Sequence, residues 1–292
     1  MRLPHVVTAS LIMAAVCAQA QPAEAPEFVA RLQRLAPVEP FGRPVLIRSE
    51  VEGGVVRAEI EALIDRPFRD VQLALADPPR WCAAMILHIS NTGCRAAPAA
   101  PGSAAMPRIA LRIARHLAQP PEQADELDFS YHPMTASTDR LSVRLHAAKG
   151  FLGTHDHGLM LDAAPAGAAR TALRLSYTYR QTPLADWSQT LWLGTFGRGK
   201  VGFSSEADDG GSPLVGGIRG LIERNLVRYL FAIEAAARTP AASDRQAYQQ
   251  RLRDYFDATE RHPRQLRQVD LDAYLALKLP LVAVGIGRDQ RR

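Results

Sequence analysis

His155-Asp156-His157 is the triplet in this sequence whose residue types and spacing come closest to chemistry. On a strand, residues two apart share a face, so His155 and His157 would point the same way as Leu159 and Leu161 and offer two imidazoles to whatever that face encloses. Two imidazoles are half of a tetrahedral metal set. No HExxH occurs, and His146 falls on the polar face of its own alternating run, so no third ligand is visible and no metal is expected. The expectation is hydrogen bonding within the fold, with pocket lining as the functional reading.

Cys82 and Cys94 are the next pair, and their meaning depends on the compartment. Arg2 and His5 begin the chain, Val6 to Val16 is apolar, and Ala18-Gln19-Ala20 has the small-x-small form of a signal-peptidase site. The apolar run is about half of the ~20 residues a membrane span needs. Residues 1–20 are therefore predicted to be a signal peptide, and the mature protein to be periplasmic and without a transmembrane segment. Cys17 leaves with the signal. The two remaining cysteines form an even pair in an oxidising compartment, which predicts a Cys82–Cys94 disulfide worth roughly 3 kcal/mol in a chain-entropy account.

Other motifs fail on context. Gly197-Arg198-Gly199-Lys200-Val201-Gly202 satisfies G-x-G-x-x-G, but Val201 stands where a phosphate loop needs a hydroxyl, and no parallel strand-turn-helix unit surrounds it. Turn glycines are the expectation, and no cofactor. No G-x-S-x-G elbow is present, and Asp208-Asp209 sits in a Gly- and Ser-rich stretch that reads as a solvated turn. No catalytic residue is assigned.

The chain has 292 residues, 47% of them apolar and 22% charged, which excludes disordered and fibrous classes. Of 35 Lys and Arg residues only Lys149, Lys200 and Lys278 are lysines, and the arginines are interleaved with acids. The net charge of +5 is thus not gathered into a nucleic-acid face, and no nucleic-acid partner is expected.

The elements that must position these residues follow from periodicity. Phe28, Leu32 and Leu35 have helical spacing within a segment, 21–44, that otherwise reads as a linker. Val55 to Ile64 alternates as a strand, and Phe68 to Leu75 reads as a short helix closed by Asp77-Pro78-Pro79. Strands are then predicted at Ala83 to Ser90, around Ile109 to Ile113, and through the alternating runs Leu127–Tyr131, Leu141–Ala147 and Leu173–Tyr179. Short connections imply an antiparallel sheet, and one apolar face per strand implies cover on one side. The cover is a long helix from Gly216-Gly217 to Arg238, stopped by Pro240. Its wheel groups Ile218, Leu221, Ile222, Tyr229, Ala232 and Ala236, with Glu223, Arg224 and Arg228 turned away. Asn225 lies within that apolar stripe, where a buried amide needs partners, and by phase Tyr229, Tyr177 and Tyr179 are the candidates.

Strand, short helix and tryptophan turn over Val55 to Trp81, a meander, and a late long helix over Gly216 to Arg238 together resemble the START-like, or SRPBCC, helix-grip superfamily. Arg219 to Tyr229 further resembles the closing helix of uncharacterised exported bacterial members. The resemblance covers about residues 45–238. It implies an α+β fold in which a curved antiparallel sheet wraps a long helix around a cavity, and it places the domain at 45–240. Residues 181–213 are an insertion, read either as a lid or as extra packing, and residues 241–292 a helical appendage with helices near Gln246–Arg261 and Leu271–Leu279 before an apolar tail.

The expected function is binding or carrying a hydrophobic small molecule or lipid, with Asn225, Tyr229, Tyr177, Tyr179, His155 and His157 as ligand-binding candidates. A cyclase- or hydratase-like enzyme using polar groups in the same cavity is the alternative, and a partner-binding protein with a filled core the third. A cavity of roughly 300 Å³ or more separates the first two from the third. Oligomeric state is not legible.

Overall fold

A computed structural model describes residues 26–99, 105–182, 200–207, 212–240 and 244–289. The predicted signal peptide, Gly197 to Gly199, Asp208-Asp209 and most of the 181–213 insertion lie outside the described residues.

Helix α1 (Glu27–Arg34) leads into hairpin strands β1 (Val45–Glu52) and β2 (Val55–Ile64). Helices α2 (Phe68–Ala74) and α3 (Pro78–Met85) then carry the chain to the far edge of the sheet. From there β3 (Asn91–Ala97), β4 (Arg108–Ile113), β5 (Asp125–Ala136), β6 (Leu141–Lys149), β7 (His155–Pro165) and β8 (Thr171–Arg180) return as a meander. The order across the eight-stranded sheet is β1-β2-β8-β7-β6-β5-β4-β3, with every neighbour antiparallel. Helix α4 (Gly217–Arg238) lies on the inner face, followed by α5 (Arg245–Glu260), α6 (Pro263–Leu266) and α7 (Leu271–Asp289). The fold is α+β, a curved antiparallel sheet gripping a long helix, with extra C-terminal helices.

The inward residues of the strands form one core with the helices: Ile60 and Ala62 of β2, Leu159 and Leu161 of β7, and Leu173 and Leu175 of β8 meet Leu226, Leu230 and Ile233 of α4. Tyr248, Tyr255 and Tyr274 of the C-terminal helices join the same cluster. A disulfide links Cys82 on α3 to Cys94 on β3, Cα atoms 5.3 Å apart, and pins the crossover to the edge strand. Trp81 Nε1 donates to Leu75 O at 3.1 Å and closes the α2–α3 corner.

Four sequence expectations are corrected. Ala83 to Ser90 is not a strand: Asp77 accepts from Arg80 N at 2.9 Å, Pro78 occupies the first turn, and α3 runs through Met85, so the edge strand is Asn91–Ala97 instead. Asp followed by Pro here starts a helix rather than stopping one. The sheet is covered on both sides at one end, because Phe28, Val29 and Leu32 of α1 pack on Leu63, Ala164 and Ala172 of the outer face. Glu223, Arg224 and Arg228 are buried rather than turned to solvent, since residues 201–204 and the C-terminal helices pack over α4. The C-terminal apolar tail continues α7 through Pro280. No helix among the described residues is long and apolar enough to cross a membrane.

Candidate functional site

Between the β4–β8 end of the sheet and α4 the core opens into a cavity of about 580 Å³. Its walls are mainly apolar, with Leu111, Phe129 and Leu159 from the sheet facing Ile218, Ile222 and Leu226 from α4. Exposed Arg115, His116, Leu152, Arg267 and Gln268 rim it. Polar side chains enter at two places, one on the sheet and one beneath α4.

At the sheet end His157 is 1% exposed, while His155 has its side chain 42% exposed, pairs with Asp156 at 3.0 Å and does not line the cavity. The shared face expected for the two histidines is lost to a bulge between β7 and β8 at 155–158, where Asp156 takes a positive φ of 54°. Thr154 Oγ1 donates to Phe151 O at 2.7 Å, so towards His157 Nε2, 3.0 Å away, it acts as acceptor. His157 therefore carries its proton on Nε2, and Nδ1 accepts from the Tyr177 hydroxyl at 2.6 Å. Tyr179 stacks on the imidazole with centroids 5.3 Å apart. Burial, aided by His155, pulls the His157 pKa down to about 4, and burial raises Tyr177 well above its usual value. Both are neutral at pH 7. Gly150 makes room for the ring, since a Cβ there would stand 2.0 Å from His157 Nε2.

The other end is built from the 86–91 turn and α4. Asn91 Nδ2 donates to Met85 O at 2.7 Å and to Tyr229 Oη at 3.2 Å, while its Oδ1 has no hydrogen-bond partner among the described residues. His88 accepts from Ser90 N at Nδ1, 3.2 Å, which leaves the proton of the neutral ring on Nε2; among the described residues that buried nitrogen makes no well-formed hydrogen bond, with the Asn225 amide beside it. Burial, then Arg228 and Lys278, hold the His88 pKa well below 6.5. Arg228 is 3% exposed and donates to Leu266 O at 3.1 Å and to Asn225 Oδ1 at 3.4 Å. Arg224 donates to Val201 O at 3.1 Å, and Lys200 to Arg267 O at 2.9 Å. Burial lowers the pKa of all three, Arg224 to about 10, with neighbouring arginines adding to the effect on Arg224 and Lys200. Lys278 of α7, buried and held to about 7, ties the turn from behind by donating to His88 O and Asn91 O, each at 2.6 Å.

Asn225, Tyr229, Tyr177, Tyr179 and His157 thus line one cavity, and His155 is the candidate outside it. Asn225 is half-buried, with Arg228 and His88 as neighbours rather than the tyrosines expected from phase. His88, Asn91, Lys200, Arg224 and Arg228 were not anticipated. The signal available for the arginines was that α4 is apolar almost all round, as a helix enclosed on every side must be. No group of three metal-ligating side chains occurs among the described residues.

No family model and no curated protein matches the sequence. Solved structures that resemble it include a protein from Thermus thermophilus (14% identity, 64% of this chain and 99% of that one, TM-score 0.41). Others are a Streptomyces aromatase/cyclase (14%, 64% and 96%, TM-score 0.40) and a START superfamily protein from Mycobacterium smegmatis (14%, 45% and 80%, TM-score 0.32). The helix-grip fold itself rests on the sheet and helix described above.

Proposed function

We propose that this protein binds a hydrophobic small molecule or lipid in the cavity between sheet and α4, as an exported, periplasmic carrier. The cavity carries the reading. Protein interiors pack as densely as organic crystals, and voids larger than a water molecule are few, so 580 Å³ of largely apolar space beside a closed core is room kept for a guest. At the ~30 Å³ a water molecule occupies in the liquid, that is the volume of on the order of twenty waters. A protein with a filled core has no use for it.

The Tyr177–His157 pair favours a second reading, proton transfer on the bound molecule: Tyr177 would take a proton from the guest and pass its own to His157 Nδ1. Burial works against this, because an imidazole held to about 4 is a weak proton acceptor at neutral pH. Binding is therefore preferred. Organic extraction and mass spectrometry of protein purified undenatured from the periplasm should release one hydrophobic compound per chain. Protein that is retained in the cytoplasm, or that is empty and takes up no hydrophobic probe, would contradict the proposal.

A further inference from the structure

We infer that the guest is an amphiphile with an oxyanion head, a carboxylate or phosphate, seated under α4 on Arg228, Arg224, Lys200 and His88. The inference rests on the cavity being a binding site and adds which end of the guest goes where.

The charge is one-sided. Among the described residues lining the cavity, Arg115, Lys200, Arg224, Arg228 and Arg267 are basic, and the single carboxylate, Asp125, is taken by Arg115 at 2.9 Å. Glu223 is the acid nearest to Arg224 in sequence, but its carboxylate is consumed elsewhere: Oε2 accepts from Phe203 N at 2.7 Å and Ser204 N at 3.0 Å, and Oε1 from the Ser49 and Ser204 hydroxyls. Among the described residues the hydrogen bonds of Arg228, Arg224 and Lys200 go to carbonyl and amide oxygens alone, and the Glu223 charge acts on Arg224 without a hydrogen bond to it. Three cations so placed repel one another and bear a desolvation cost that only an anion offsets fully.

The neutral groups point the same way. Among the described residues His88 Nε2–H, a buried donor, makes no well-formed hydrogen bond, and the Asn225 amide beside it already accepts from Arg228. The Tyr229 oxygen already accepts from Asn91, which leaves its hydroxyl proton for another acceptor. An oxyanion supplies acceptors to all of these at once, and a neutral guest does not. The sheet end offers it little, since both His157 nitrogens are occupied and the Tyr177 proton is spent on Nδ1. A tail against Leu111, Phe129 and Leu159 with its head beneath α4 is the orientation that leaves fewest groups unpaired.

The test is a fluorescence titration with a long-chain conjugated-polyene fatty acid and its methyl ester, on the delipidated full mature chain and on Arg228→Gln. The acid should bind at least about tenfold more tightly than the ester. Arg228→Gln should bring the acid to within about threefold of the ester while leaving ester binding intact, which also controls for folding. Equal affinity of acid and ester for the unmutated protein would overturn the oxyanion head and leave the hydrophobic cavity standing. Binding of neither would overturn both. Displacement of the acid by inorganic phosphate at comparable concentration would also overturn the inference, by making the site one for a free anion.

Discussion

The two polar ends of the cavity are finished to different degrees. At the sheet end the donors and acceptors of Thr154, His157 and Tyr177 close on one another. Beneath α4, among the described residues, His88 Nε2 and Asn91 Oδ1 make no well-formed hydrogen bond and three cations make none to a carboxylate. A closed network fixes geometry and gives a guest little to bind, whereas an open one costs stability unless a guest completes it. On the proposed reading the first is scaffold and the second recognition.

Acid should have the largest effect, because it attacks both ends. His157 is pulled from 6.5 to about 4 and His88 well below 6.5, and outside the cavity His262, packed between Phe41 and Phe231, is likewise pulled to about 4, in each case chiefly by burial. All three are neutral when folded and take up protons near 6.5 when unfolded, so between pH 6.5 and 4 the unfolded state binds more protons. Stability must then fall as pH drops through that window, by up to about 1.4 kcal/mol per pH unit for each histidine. Urea midpoints measured across the window should show the slope, and His157→Gln should reduce it. A flat profile would mean the histidines are not buried neutral.

Next in size, Gly150→Ala strikes the sheet end alone. Its Cβ would lie 2.0 Å from His157 Nε2 and 2.7 Å from Thr154 Oγ1, so the ring must leave, at a cost of about 3 kcal/mol in urea unfolding. Gly158→Ala is the control. Nothing stands within 4 Å of its Cβ, and the change should stay within about 1 kcal/mol. If the two cost the same, the sheet end is not the rigid scaffold described.

Substitutions beneath α4 should act on binding instead. Asn225→Leu removes the amide between His88 and Arg228 and should weaken fatty-acid binding by about tenfold, with stability changed by less than about 1 kcal/mol. Lys200→Gln, at the partly exposed margin, should cost about two- to threefold, an effect that fades in high salt.

Elements whose signals are local were legible in the sequence. β2 runs over the predicted Val55 to Ile64 and α4 over Gly217–Arg238, because apolar spacing and a Pro240 stop write them directly. The division of the histidine pair was not. It follows from one residue, Asp156, in the left-handed region, a conformation Asp tolerates but no spacing rule announces. The burial of Arg224 and Arg228 was equally hidden, since their carbonyl partners Val201 and Leu266 lie 23 and 38 residues away. Tyr177, Tyr179, Tyr229 and Asn225 could be placed on the cavity by phase alone, whereas the partners of Tyr229 and Asn225 depended on how the 86–91 turn folds back, and those of Tyr177 and Tyr179 on the bulge that turns His157 inward.

His157→Leu and Arg228→Leu, carried through urea unfolding and fatty-acid titration side by side, test the division of labour most directly. His157→Leu leaves the buried Tyr177 hydroxyl without its acceptor and should lose about 2 kcal/mol of stability, with affinity kept within about threefold. Arg228→Leu removes a buried cation whose desolvation roughly cancels its hydrogen bonds, so stability should move by less than about 1 kcal/mol while affinity falls at least tenfold. Stability and affinity falling together in both variants, or Arg228→Leu binding as tightly as the unmutated protein, would contradict the account.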